Sequence, residues 1–231
     1  MDYIIDSCEI LTIELLNRIE EATKTCDRLG IGVYSDEVAQ QILKHQPLRP
    51  YHERAQLISS IKGVDFVFKV TDPNNICVHK ENFDLISPST KKYNICYAPG
   101  TYDLFHQGHL EHLTENSNMC NILVAGVNED NFVVSYKNKK PMMPVHERAA
   151  VLEKLKIVDS VFVANTFDFP VANEWIINRY GSPIDAVFLG SDWEGKGFPN
   201  PENFNLQFTY RDPKLMGTRS STFYRKQLMK L

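Results

Sequence analysis

The chain has 231 residues, 43% of them hydrophobic, enough to bury a core in one domain or two small ones. Its formal net charge of −4 excludes a global positive field of the kind that draws nucleic acid or anionic membrane, so any anion site must be local. Five cysteines (Cys8, Cys26, Cys77, Cys96 and Cys120), odd in number and without a C-x-x-C pair, fit reduced thiols better than a disulfide framework.

The first stretch, "MDYIIDSCEILTIELL", carries acidic residues where a secretory signal would be basic, and no apolar run reaches the length of a membrane span. The expectation is a cytoplasmic α/β protein. "PLRPYHERAQLISSIKGVDFVF" (47–68) shares Pro, Pro, His-Glu-Arg-Ala, Lys, Val-Asp and Val-Phe, in register, with "PMMPVHERAAVLEKLKIVDSVF" (141–162). The offset is 94 residues, from Arg54 to Arg148, and it also relates "GVYSD" (32–36) to "GVNED" (126–130) and Cys26 to Cys120. An ungapped register over this span reads as a duplicated α/β unit. "PNNICVHKENFDLISPSTKK" (73–92) is turn-rich and polar and reads as a linker. The expected organisation is therefore a truncated first copy (1–72), a linker (73–92) and a full second copy (93–231).

In the second copy "YNICYA" (93–98) reads as a buried strand, followed by a loop and a helix to about residue 118. "NILVAGV" (121–127) is a strand. "PVHERAAVLEKLK" (144–156) has helical period with Pro near its first turn. "VDSVFVA" (158–164) is a strand, "VANEWIINRYG" (171–181) a helix closing on Gly, and "DAVFLG" (185–190) and "NLQFTY" (205–210) are strands. "SSTFYRKQLMKL" (220–231) is a serine-capped final helix. Alternating strands and helices predict a parallel sheet covered on both faces, with ligands at the carboxyl ends of its strands.

The loop "GTYDLFHQGHLEHL" (100–113) follows the first of these strands. Gly100 allows a tight turn, and Gly108, without a Cβ, lets a phosphate chain approach backbone N–H groups at a helix start. His106 and His109 stand i, i+3 and reach one group together. Two donors on one phosphate suit a transition state that builds negative charge on its oxygens. Two other readings compete at this stage: a metal stripe of His106, His109 and His112, for which no fourth ligand stands at matching spacing, and plain surface histidines. At the same offset the first copy holds Asp6, Thr12, Glu14 and Leu15 in place of Gly100, His106, Gly108 and His109. It keeps the framework and lacks the histidine loop. "SYKNKKP" (135–141) is a basic cluster, and "RSSTFYRKQ" (219–227) sets hydroxyls and cations at a helix start, a second phosphate cradle.

These segments together resemble the cytidylyltransferase branch of the HxGH nucleotidyltransferases. "GTYDLFHQGH" resembles its G-T-[FY]-D-x-x-H-x-G-H signature, "HERAAVLEKLKIVDSVF" its second motif and "RSSTFYRK" its closing serine/threonine motif. "FLGSDWEGK" (188–196) looks most like the members acting on glycerol 3-phosphate. The resemblance implies a Rossmann-like doubly wound sheet and transfer of CMP from CTP, with Mg²⁺, to a phosphorylated alcohol. The expected acceptor is glycerol 3-phosphate; the alternatives are a CDP-ethanolamine-type or other CDP-alcohol synthase and a non-catalytic nucleotide-binding regulator. By resemblance, His106 and His109 contact the triphosphate, Thr101 touches phosphate, and Lys137 and Lys139 hold substrate phosphates. Arg148 binds acceptor or nucleotide, Asp192 lies near the nucleotide, and Ser221 and Thr222 hold the β- and γ-phosphates. Arg211 or Arg219 is the arginine of the closing motif, which is spread out here. Lys156 stands where the family often has arginine, keeping the charge and losing the bidentate fork. No protein-held metal is expected. The family usually works as a dimer, so the first copy is expected to pack as an intramolecular partner, alone or within a homodimer.

Overall fold

A computed structural model describes residues 2–81, 83, 91–196, 203–210 and 220–230. The chain falls into two compact units, one of Met1–Leu85, Lys154–Lys156 and Thr222–Leu231, the other of Ile86–Glu153 and Ile157–Ser221.

The first unit contains β1 (Asp2–Asp6), α1 (Ile13–Thr23), β2 (Leu29–Tyr34), α2 (Asp36–Leu43), α3 (Tyr51–Ser59), β3 (Phe66–Val70) and β4 (Lys80–Glu81). The sheet runs β1-β2-β3-β4, parallel except for β4, which is antiparallel to β3. Side-chain caps start α1 and α2: Thr12 Oγ1 accepts from Leu15 N at 3.2 Å and Ser35 Oγ from Val38 N at 3.3 Å. The linker expected over 73–92 therefore contains a strand, and the first unit runs past residue 72. Two residues are too short to show a period of two. What recruits them is the backbone edge of β3, with Phe68 opposite Lys80 and Val67 opposite Glu81.

The second unit contains β5 (Tyr93–Gly100), α4 (Gln107–Met119), β6 (Cys120–Asn128), α5 (Asp130–Lys137), α6 (Val145–Glu153), β7 (Ser160–Ala164), α7 (Phe169–Tyr180), β8 (Ala186–Gly190) and β9 (Leu206–Thr209). A final helix, α8 (Ser221–Leu228), contributes its first residue here and the rest to the first unit. All five strands are parallel, in the order β7-β6-β5-β8-β9. Ile95, Tyr97, Val124, Phe169, Ile176 and Leu189 form the core on one face. The chain moves outward from β5 to β7 and then crosses back to β8, so the loops leaving β5 and β8 diverge. That divergence opens a crevice at the carboxyl edge of the sheet.

The two sheets share a register. Tyr3 pairs with Gly30 as Tyr97 pairs with Val124, and Ile31 pairs with Val67 as Ala125 pairs with Val161, each 94 residues on. The shared Val-Asp has a local cause: Asp65 Oδ2 accepts from Leu29 N and Asp159 Oδ2 from Leu123 N, both at 2.7 Å, clamping the start of a strand. Lys156, in the family's arginine position, donates its Nζ to the carbonyls of Ser59 (2.7 Å) and Val64 (2.8 Å), all within the first unit. Among the described residues no helix is long and apolar enough to cross a membrane.

Candidate active site

The loop between β5 and α4 is held in an unusual backbone. Tyr102 (φ 53°) and Leu104 (φ 50°) both lie in the left-handed region, which non-glycine residues seldom adopt. Two anchors fix it. Tyr102 Oη donates to Ala98 O at 2.9 Å, and the buried Asp103 carboxylate accepts the amides of Met142 and Met143 at 3.0 Å. Gly100 is needed because a Cβ there would lie 2.8 Å from the Tyr102 ring. Helix α4 begins just after His106, whose carbonyl accepts from His109 N at 2.9 Å and Leu110 N at 3.1 Å. Gly108 is buried in that first turn, between the two histidines.

His106 and His109 stack, with ring centroids 3.8 Å apart and planes 22° apart. His106 is 1% exposed; His109 is partly exposed, with Tyr102 edge-on at 5.3 Å. The pair stands at the amino end of α4, where the helix dipole is positive. Ser221, opening α8, donates its hydroxyl to Asp103 O at 2.7 Å and lies 3.4 Å from His106 Nε2. A cleft at this point is lined by Gly100, Thr101, His109, His112, Lys137, Gly190, Asp192, Trp193 and Ser221.

Lys137 reaches the cleft from the end of α5. The basic cluster "SYKNKKP" begins inside a helix: Lys137 is the last residue of α5, and Asn138 at φ 49° ends it. Lys137 Nζ donates to Thr101 Oγ1 at 2.8 Å; that hydroxyl lies 3.1 Å from Tyr136 Oη, which in turn accepts from Asn128 Nδ2 at 2.8 Å. Lys137 is exposed as a residue, yet desolvation at the cleft lowers its pKa, with Asp192 and Asp103 opposing that effect.

Arg148 has a different setting. It is 1% exposed, and its guanidinium donates to Met143 O (2.9 Å), Thr101 O (2.6 Å), Asn128 O (2.8 Å) and Asp130 Oδ1 (2.5 Å). It ties together the histidine loop, the end of β6, the start of α5 and the chain before α6. Lys139 is exposed beyond α5 and does not line the cleft. Thr222 is exposed and belongs to the first unit. Arg211 and Arg219 lie outside the described residues.

Asp103 and Trp193 carried no role in the sequence, and His112 entered only through the metal-stripe alternative. Asp103 is the loop's anchor, and its counterpart Glu9 does the same work, accepting from Leu48 N at 2.8 Å; an acid at both positions of the repeat was the available signal. His112 is 7% exposed, and its Nε2 is 3.2 Å from Asn116 Nδ2, whose amide oxygen accepts from Thr209 at 3.2 Å. Trp193 sits against Phe167 (5.1 Å) and Tyr136 (5.8 Å). Among the described residues no group of three or more His, Cys, Asp or Glu is arranged to hold a metal.

Comparison with known proteins finds the following similarities. A family model described as Cytidylyltransferase-like matches residues 97–201. Glycerol-3-phosphate cytidylyltransferase of Bacillus spizizenii is 31% identical over 97 residues, which are 42% of this chain and 70% of that protein. FAD synthase of Thermococcus onnurineus is 33% identical over 95 residues, 41% of this chain and 60% of that protein. The lipopolysaccharide core biosynthesis protein of Thermoplasma volcanium, a solved structure, is 22% identical with a TM-score of 0.40, over 52% of this chain and 96% of that one.

Proposed function

Because the chain belongs to the cytidylyltransferase-like family, we propose that its second unit transfers CMP from CTP to a phosphorylated alcohol, with glycerol 3-phosphate as the acceptor. The observation that carries this reading is the stacked His106–His109 pair at the start of α4: His109 lines one cleft with Lys137 and Ser221, and the buried His106 stands behind it, 3.4 Å from the Ser221 hydroxyl. In the reaction an acceptor phosphate oxygen bonds to the α-phosphorus of CTP. The bond from that phosphorus to the bridging oxygen breaks opposite, and pyrophosphate leaves with the electron pair. Little covalent work falls to the protein; it positions the groups and neutralises charge.

The two imidazoles and the amino end of α4 donate to phosphoryl oxygens as charge builds there. Lys137 and the Ser221 hydroxyl hold the phosphates at the other walls. Arg148 acts one step back, fixing the carbonyl of Thr101 and thereby the loop. Mg²⁺ supplies further charge neutralisation when it enters with CTP. Among the described residues lining the cleft Asp192 is the one carboxylate, a donor set that would suit an ion held mainly by phosphates and water.

We read the first unit as a copy of the second that keeps the framework and has lost the site. The shared strand registers support this, as do Asp6, Thr12, Glu14 and Leu15 at the matching positions. The test is to incubate the full chain with each nucleoside triphosphate and a panel of phosphorylated alcohols with Mg²⁺, and to follow pyrophosphate release. The expected result is turnover with CTP and glycerol 3-phosphate. Turnover with a different pair corrects the substrate and keeps the reaction; nucleotide binding without turnover on any acceptor overturns the proposal in favour of a regulator.

A further inference from the structure

The turn after β8 folds back on itself. Ser191–Trp193 form a single 3₁₀ turn, Gly195 takes φ +73°, and Lys196 N donates to Trp193 O at 3.1 Å. The reversal, open to glycine above other residues, returns Lys196 over its neighbour: Nζ stands 4.8 Å from the centroid of the Trp193 ring. Trp193 is itself held against Phe167 at 5.1 Å and Tyr136 at 5.8 Å, and it lines the cleft beside Asp192 and Lys137. Lys196 is near enough to Lys137 to weigh on its protonation, as Asp192 also is.

An aromatic wall beside a phosphate site is a ready receptor for an ammonium group, because the ring face is electron-rich. Here the protein's own ammonium already stands over that face. We propose that Lys196 on Trp193 selects the alcohol half of the acceptor, favouring a neutral polyol phosphate over an ammonium-bearing alcohol phosphate. This rests on the cleft being the acceptor's site, as proposed above. A cationic head group meets two lysines against one carboxylate, Asp192, and finds the tryptophan face occupied. A neutral hydroxylated chain meets no such repulsion, and its hydroxyls have Asp192 and the lysines to bond. Discrimination thus comes from a repulsive element set against the wrong partner, beside the attraction for the right one.

The test uses the full chain, wild type and the variants Lys196→Met, which keeps the stem and drops the charge, and Lys196→Arg, which keeps the charge. Binding of glycerol 3-phosphate and of choline phosphate is measured by calorimetry, and pyrophosphate release with CTP is measured separately. The expected result is that Lys196→Met shifts the affinity ratio toward choline phosphate by roughly five- to tenfold, while Lys196→Arg keeps the wild-type ratio. An unchanged ratio in Lys196→Met overturns the proposal, as does binding of neither compound to either protein. Binding that responds to Lys196 while no phosphorylated alcohol supports turnover keeps the selectivity and removes the transferase reading, so the two failures are distinct.

Discussion

Arg54 and Arg148, 94 residues apart, make matching bonds in their two units. Arg54 donates to Arg49 O (3.0 Å), Ser7 O (2.5 Å) and Asp36 Oδ1 (2.7 Å); Arg148 donates to Met143 O (2.9 Å), Thr101 O (2.6 Å) and Asp130 Oδ1 (2.5 Å). Each acceptor in one set lies 94 residues from its counterpart. The first unit lacks the histidines and still keeps the arginine in place. The shared work of the residue is therefore to brace the loop after the first strand, and substrate contact is not needed to explain it.

It follows that Arg148→Ala should lower stability and activity together. Removing a buried cation leaves the Asp130 carboxylate and three carbonyls without their donor, a loss of about 3–5 kcal/mol. Arg148→Lys should recover little, because one ammonium cannot span four acceptors in a planar fork. Urea unfolding followed alongside kcat/KM decides it: lost activity at full stability would mean that Arg148 serves the substrate directly.

His106→Ala and His109→Ala should each lower kcat by roughly 10²–10³-fold, the usual cost of one charge-stabilising donor. Thr12→Ala, at the position matching His106, removes the cap of α1 and should cost about 1 kcal/mol of stability with kcat unchanged. Normal turnover in both histidine variants would reduce the stacked pair to packing. A large fall in kcat for Thr12→Ala would put the first unit into the chemistry.

The pH profile should report Lys137. Desolvation disfavours its charged form, so the proton leaves below the ordinary lysine value of 10.5. If the ammonium holds phosphate, kcat/KM is full below that pKa and falls as the pH rises through it. Lys137→Arg should carry the alkaline limb to higher pH, since guanidinium stays charged. The same limb in wild type and Lys137→Arg would assign it to another group.

Cutting the chain at residue 93 should weaken the remaining fragment. The first unit includes Tyr224, buried with its ring 4.5 Å from the Arg49 guanidinium and its hydroxyl 3.2 Å from Glu53 Oε2, and Lys156 on the carbonyls of Ser59 and Val64. In 93–231 expressed alone these groups lose their partners. The expected result is a Tm lower by about 5 °C or more and faster amide exchange over 222–228. A fragment as stable and active as the full chain would refute it.

Much was legible because it is local or repeated. Strands such as "NICYA" and "DAVFLG" are mostly apolar runs, helices α5 and α7 between them end on left-handed Asn138 and Gly181, and the 94-residue spacing shows in side chains that recur in the sequence. The histidine loop was legible from residue type and spacing, since two imidazoles around a glycine leave few chemical uses. What the chain order could not reveal depends on residues far apart meeting. That Asp103 serves as an anchor rests on amides 39 and 40 residues away. The matching Arg54 hinted at a framework share for Arg148, but which groups it braces rests on carbonyls 5 and 47 residues away, and a charged side chain in a sequence looks the same whether it faces solvent or is spent on buried carbonyls. Strand β4 was invisible for a related reason: a two-residue strand is made by the backbone edge it joins. The stacking of Lys196 on Trp193 likewise needed the left-handed turn at Gly195, a choice of backbone that only the folded loop could decide.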